Sequence, residues 1–146
     1  MIRLATTNDI KEIFEIEKRR FSTDAWTLSQ WEYELNENEF AYILVLEENN
    51  QFVGYIDYWI LFEQATINKI CIKESFERCG YGYILLKEAL KRIDEALCVS
   101  TTLEVRVSNL SAVNLYKKAN FQLVLRKPQY YDDGEDCFYM MRRIGE

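Results

Sequence analysis

Two of the chain's five glycines, Gly80 and Gly82, fall where strand-like sequence gives way to a long helix-periodic run. Upstream, residues 41–46, 51–61 and 65–72 are rich in Ile, Val, Tyr and Phe and are separated by turn-like breaks at 47–50 and 62–64. That texture predicts three strands in an antiparallel meander. Downstream, Ile84, Leu85, Leu86, Ala89, Leu90 and Ile93 recur at helical spacing, predicting the main helix through about residue 97.

The flanking sequence extends this frame. A short opening strand precedes a helix in which Asp9 and Glu12 sit at capping spacing and Ile10, Ile13 and Phe14 turn inward. Thr27 and Gln30 form a capping-box pattern ahead of Leu28, Trp31 and Leu35, a second helix. A strand over 101–107, a helix over 109–118 and strands over 121–126 and 137–143 complete the order. The expected fold is an α/β (α+β) arrangement with a mixed, mostly antiparallel sheet of about seven strands. At 146 residues one domain is expected over 1–146, and no repeats or linkers are visible.

Composition narrows the chemistry. There is no histidine, and Cys71, Cys79, Cys98 and Cys137 lie far apart, so the usual zinc spacings cannot be built and no metal is expected. The same absence removes Ser-His and Cys-His catalysis, leaving carboxylate, tyrosine, lysine or cysteine to move protons. A formal charge of -6 argues against nonspecific nucleic-acid binding and is compatible with a basic partner. Apolar stretches are too short and interrupted to span a membrane, and Met1 to Leu4 lacks a signal-peptide pattern, so the cytosol is the default location.

A G-x-G between strand and helix suits a phosphate or pyrophosphate held by free N–H groups at the helix start, or a tight turn that binds nothing. A dinucleotide fingerprint would want a small residue at Leu85 and a βαβ start, and a P-loop would want Gly-Lys-Ser/Thr; neither is present.

The wider motif is more specific. Glu77-Arg78-Cys79-Gly80-Tyr81-Gly82 resembles the Gln/Arg-x-x-Gly-x-Gly/Ala coenzyme-A loop of the GNAT superfamily of N-acetyltransferases. Residues 103–116 resemble its L-E-V-R-x-S-N-x-x-A-x-x-L-Y. The closing Arg126 to Tyr131, with Gly134 and Asp136, is similar to the R-x-x-Y-Y and glycine-acid ending of the ribosomal-protein-alanine subgroup, and Trp26 falls at its N-terminal tryptophan. Three positions depart from the pattern: Glu77 for Gln or Arg, Cys79 for a basic residue, and Asn120-Phe121 for Gly-Phe.

The resemblance implies a sheet splayed in the middle with helices on both faces, and acetyl-coenzyme A as cosubstrate. The backbone of Ile70, Cys71 and Ile72 would hold the pantetheine. Arg78, Cys79, Gly80, Tyr81, Gly82 and Tyr83 would cradle the pyrophosphate, and Asn109 would also touch the coenzyme. Glu104 matches the family's general base and Tyr116 its general acid; Trp26, Tyr130 and Tyr131 would wall the acceptor slot. Read alone, Glu104 is an exposed strand carboxylate paired with Arg106, and Tyr116 an amphipathic core tyrosine.

The implied acceptor is the N-terminal alanine amine of the eighteenth small-subunit ribosomal protein, whose basic tail would be the partner. An α-amine with pKa about 8 is partly neutral at neutral pH, whereas a lysine near 10.4 is neutral in about one molecule in a thousand or fewer. Asp132, Asp133, Glu135 and Asp136 either draw that tail or form a solvated turn. Acetylation of a small amine or a lysine side chain, a covalent acetyl-cysteine on Cys71 or Cys79, and a silent coenzyme-binding module are the alternatives. Oligomeric state is left open by the sequence.

Overall fold

The computed structural model describes residues 1–21 and 23–144. Its seven strands are β1 (Ile2–Leu4), β2 (Ala41–Glu48), β3 (Gln51–Leu61), β4 (Gln64–Ile72), β5 (Ser100–Arg106), β6 (Gln122–Lys127) and β7 (Cys137–Arg143). They form one sheet in the order β1-β2-β3-β4-β5-β7-β6. Every neighbouring pair is antiparallel except β4 with β5. The helices are α1 (Ile10–Arg20), α2 (Leu28–Asn36), α3 (Tyr81–Glu95) and α4 (Leu110–Lys118), with short 3₁₀ turns at Thr7–Asp9 and Glu74–Phe76.

Two apolar clusters fix which helix covers which face. Leu85, Leu86, Ala89, Leu90 and Ile93 of α3 and Val113 and Tyr116 of α4 pack on Leu44, Ile56, Ile67, Leu103, Val105 and Met140. On the other face, Ile10, Ile13 and Ile16 of α1 and Trp31 of α2 cover Ile43, Val45, Tyr55 and Cys71. No residue of β5, β6 or β7 belongs to that second cluster, so the strands beyond β4 leave that face without a helix over it.

The sheet parts where β4 meets β5. Their parallel pairing runs through four residue pairs, from Gln64 with Ser100 to Ile67 with Leu103, although both strands continue. The next residue, Asn68, is the extra one of a bulge, because Asp57 pairs with Lys69 and Tyr58 with Ile67. A bulge bends its strand and shifts the side-chain alternation. Ala65 and Ile67 face α3 before it, while Lys69 and Cys71 face the α1 side after it. Asn68 Nδ2 donates to Asp57 Oδ1 at 2.9 Å, which ties the bulge to β3.

Strand boundaries follow the sequence within two residues; β2 continues to Glu48, where Asn49 and Asn50 turn the hairpin with φ of 51° and 63°. The Thr27 cap is present, its Oγ1 accepting from Gln30 N–H at 3.1 Å. Asp9 behaves differently from the expected cap of α1: its carboxylate accepts from Thr6 N–H at 2.7 Å and from Arg3, which turns it back toward β1. Asn120, in place of the pattern's glycine, adopts φ 72°, a left-handed conformation asparagine tolerates.

Candidate active site

The split in the sheet opens a cleft of about 900 Å³. Because it passes between β4 and β5, it receives side chains from both faces. Tyr116 enters from the α3–α4 side, and Glu104 projects from the opposite face of β5, its neighbours Leu103 and Val105 being buried under α3. Ile70 and Asn109 also line the cleft, as do Trp26, Tyr130 and Tyr131.

Glu104 is a third exposed and doubly engaged. Lys127 Nζ donates to its Oε2 at 2.6 Å, and the Tyr130 hydroxyl donates to its Oε1 at 2.8 Å. Arg106, two residues on, pairs with other groups, so the Glu104–Arg106 pair that the strand alone suggests is replaced by one reaching from β6. The reason is strand order: β7 lies beside β5 and β6 beyond it, and Lys127 reaches across Tyr139. Counting back from Tyr130, the R-x-x-Y-Y spacing falls on Lys127 rather than Arg126.

Tyr116 is 6% exposed, and its ring packs edge-on to Phe121 at 5.8 Å. Burial raises the phenol's pKa well above its ordinary value, so the hydroxyl keeps its proton through the neutral range. No described residue shares a hydrogen bond with it, which leaves that proton for whatever enters the cleft.

The cleft wall that carries Trp26 and Tyr131 is held by ionic pins. Fully buried Glu17 accepts from Trp26 N–H at 2.7 Å, Trp31 Nε1 at 3.0 Å and the Tyr55 hydroxyl at 3.1 Å, and lies 3.5 Å from Lys69 Nζ. Lys69 donates to the Asp24 carbonyl at 2.7 Å and sits over the rings of Phe21 and Trp26. Arg106 grips Asp24 with two bonds of 2.8 and 2.9 Å, bonds Asp133 and Glu135, and stacks on Tyr131 with 4.0 Å from guanidinium carbon to ring centroid. One guanidinium thus joins the loop before α2 to the loop between β6 and β7. Within the acidic turn, Asp133 and Glu135 are paired with Arg106 and Asp136 with Arg126. It is therefore an organised turn that keeps an acidic balance.

The glycine loop lies outside the cleft, at the start of α3. Gly80 has φ +84°, a conformation that favours glycine. The first bond of α3 runs from Ile84 N–H to the Gly80 carbonyl, so the N–H groups of Tyr81, Gly82 and Tyr83 lie at the open, positive end of the helix. Arg78 adjoins it in a left-handed conformation, φ 62°, and Cys79 is exposed. Arg20, at the end of α1, is ion-paired with Glu77. The Asn109 side chain caps α4, accepting from Ala112 N–H at 3.2 Å, so its amide nitrogen is the part left for a ligand.

Cys71 packs among Ile10, Ile13 and Tyr55, away from the cleft, and burial pushes its thiol up to about 11. That holds it as a thiol and removes the advantage of a covalent cysteine route there. Among the described residues, no group of three or more His, Cys, Asp or Glu side chains is placed to hold a metal, and no helix is long and apolar enough to cross a membrane.

Lys127, Tyr139, Lys69 and Glu17 were not singled out by sequence reasoning. The tyrosine spacing is the signal that could have found Lys127, whereas Tyr139 depends on the pairing of Glu104 with Tyr139 across β5 and β7.

Comparison with known proteins gives this geometry a context. The model of the acetyltransferase (GNAT) family matches residues 7–121. A Bacillus subtilis (strain 168) protein provisionally named a [ribosomal protein bS18]-alanine N-acetyltransferase is 37% identical over 99% of this chain and 96% of its own. An N-alpha-acetyltransferase of Sulfolobus acidocaldarius is 32% identical over 95% of this chain and 89% of its own. The crystal structure of the Escherichia coli ribosomal-protein-S18-alanine N-acetyltransferase shares the fold, with a TM-score of 0.89 and 24% identity over 100% of this chain and 94% of that one.

Proposed function

The chain belongs to the GNAT acetyltransferase family, and from that premise we propose that it acetylates the N-terminal alanine of the eighteenth small-subunit ribosomal protein. The observation that carries this reading is the cleft through the split sheet, into which Glu104 and Tyr116 project from opposite faces. Full-length similarity to relatives named for that acceptor supports the substrate.

Acetyl-coenzyme A fits the residues present on two counts. Past Ile67 the β4 edge is no longer paired to β5, which leaves strand backbone at Ile70, Cys71 and Ile72 for the pantetheine amides. The loop from Arg78 to Tyr83 offers the open N–H groups of α3 and a positive-φ glycine to a pyrophosphate. Bound there, the coenzyme supplies an activated thioester.

The chain's own residues do the rest. Trp26, Tyr130 and Tyr131 flank the acceptor's backbone. Glu104, through a water molecule, takes the proton that the attacking amine sheds. Tyr116, kept protonated by burial, gives its proton to the departing sulfur. The C–N bond forms as the C–S bond breaks, with no residue acylated.

The deciding experiment offers acetyl-coenzyme A and a panel of acceptors: N-terminal peptides of ribosomal proteins, lysine peptides and small amines. Coenzyme release with acetylation confined to the α-amine of the alanine-first peptide supports the proposal. Preferred transfer to lysine or a small amine overturns the acceptor, and tight coenzyme binding with no transfer to any of them overturns the enzyme.

A further inference from the structure

Resting on the assignment of Glu104 as base, we propose that Glu104, Tyr130 and Tyr139 form the subsite for the acceptor's primary ammonium, and that Lys127 fills it until an acceptor arrives. The structure already seats an ammonium there. Lys127 Nζ lies 2.6 Å from Glu104 Oε2, 5.1 Å from the Tyr130 ring centroid and 4.9 Å from that of Tyr139. A carboxylate flanked by ring faces is the combination that attracts a primary ammonium. Tyr130 adds a hydroxyl bond of 2.8 Å to the other carboxylate oxygen, which fixes the plane of the acceptor group.

The occupant is charged and exchangeable. Its hydrogen bond to Glu104 raises the Lys127 pKa, so it sits there as ammonium. Both partners are a third exposed, and ion pairs of that kind contribute little net stability, so a second ammonium can take the place. Glu104, Tyr130 and Tyr139 line the cleft while Lys127 reaches in from the edge strand β6; its withdrawal needs only side-chain rotation. The same carboxylate that docks the incoming ammonium is then the group that receives its proton, through a water molecule once the amine moves from the carboxylate to the thioester.

Propylammonium ion is the probe, titrated calorimetrically into the full chain with coenzyme A present. Lys127→Met is expected to bind it about fivefold tighter than the parent chain. Adding Tyr139→Leu to that variant is expected to weaken binding about threefold or more. Equal affinity in the three proteins overturns the proposal. Kinetically, Lys127→Met should lower the KM of an alanine-first peptide about fivefold while leaving coenzyme affinity unchanged. A higher KM, or a kcat loss like that of Glu104→Gln, overturns it and makes Lys127 a support for the base. Failure of the parent chain to acetylate any peptide, with propylammonium binding as described, counts against the transferase reading and leaves the subsite standing.

Discussion

Arg20, the last residue of α1, is ion-paired with Glu77, the residue that opens the glycine loop. Glu77 stands where the family pattern has glutamine or arginine, so its carboxylate would oppose a pyrophosphate bound next to it. Arg20 offsets that carboxylate directly, adding a second cation beside Arg78 of the loop itself. Arg20→Met is therefore expected to weaken coenzyme-A binding about fivefold, and adding Glu77→Gln to restore most of it. Calorimetric titration of the single and double variants checks this, and a double variant as weak as the single one would refute it.

Glu104→Gln keeps the shape of the proposed base and removes its ability to take a proton. kcat/KM toward the alanine-first peptide should fall by about a hundredfold to ten-thousandfold. Coenzyme affinity, measured separately by equilibrium binding, should hold, because Glu104 lies in the cleft and not at the glycine loop.

Tyr116→Phe should lower kcat by about tenfold or more by removing the proposed proton donor. The direction of its pKa shift fixes a second expectation. A phenol held above its ordinary value of about 10 retains the catalytically useful form until the medium is strongly alkaline. The parent enzyme should thus show no loss of kcat from this group below about pH 10.

Arg106→Met would separate the two loops that Arg106 now holds through Asp24, Asp133, Glu135 and the Tyr131 ring. The peptide's KM should rise about tenfold or more, since displaced walls misplace the acceptor. Coenzyme affinity should change little. Steady-state kinetics with each substrate varied in turn distinguishes the two effects.

Asp57 tests the cost of the bulge. Among the described residues its buried Oδ2 has no hydrogen-bond partner, and burial first, then neighbouring Glu34, raises its carboxyl pKa well above the usual range. The folded state therefore binds a proton that the unfolded chain releases near pH 4, and stability contributed by this group declines as pH rises above that point. Asp57→Asn removes the titration and preserves the acceptor for Asn68. Its melting temperature should exceed the parent's by a margin that grows from about pH 4 to pH 8, as read by calorimetry.

The sequence disclosed the elements and the motif residues, and missed what depends on sheet order. Hydrophobic alternation and helical spacing are local, so 51–61 and 137–143 read correctly as strands. The same alternation placed Glu104 off the α3 face. It could not choose Lys127 over Arg106 as the partner, because that choice depends on β6 lying beyond β7. Nor could it join Arg106 to Asp24, 82 positions earlier. The buried Glu17 cluster was hidden for a similar reason: an acid in a helix rich in Lys and Glu looks solvated until Trp31 and Tyr55 are brought over it.

The seam of four residue pairs between β4 and β5 also governs how the molecule holds together. Within each half every neighbouring pair of strands is antiparallel, and only this parallel stretch stitches one half to the other within the sheet. A ligand that bonds to β4 past Ile67 and packs beside β5 adds rungs where the ladder stops. A coenzyme bound as proposed would thereby act as mortar as well as reagent, bracing the line where the two halves of the sheet are least joined.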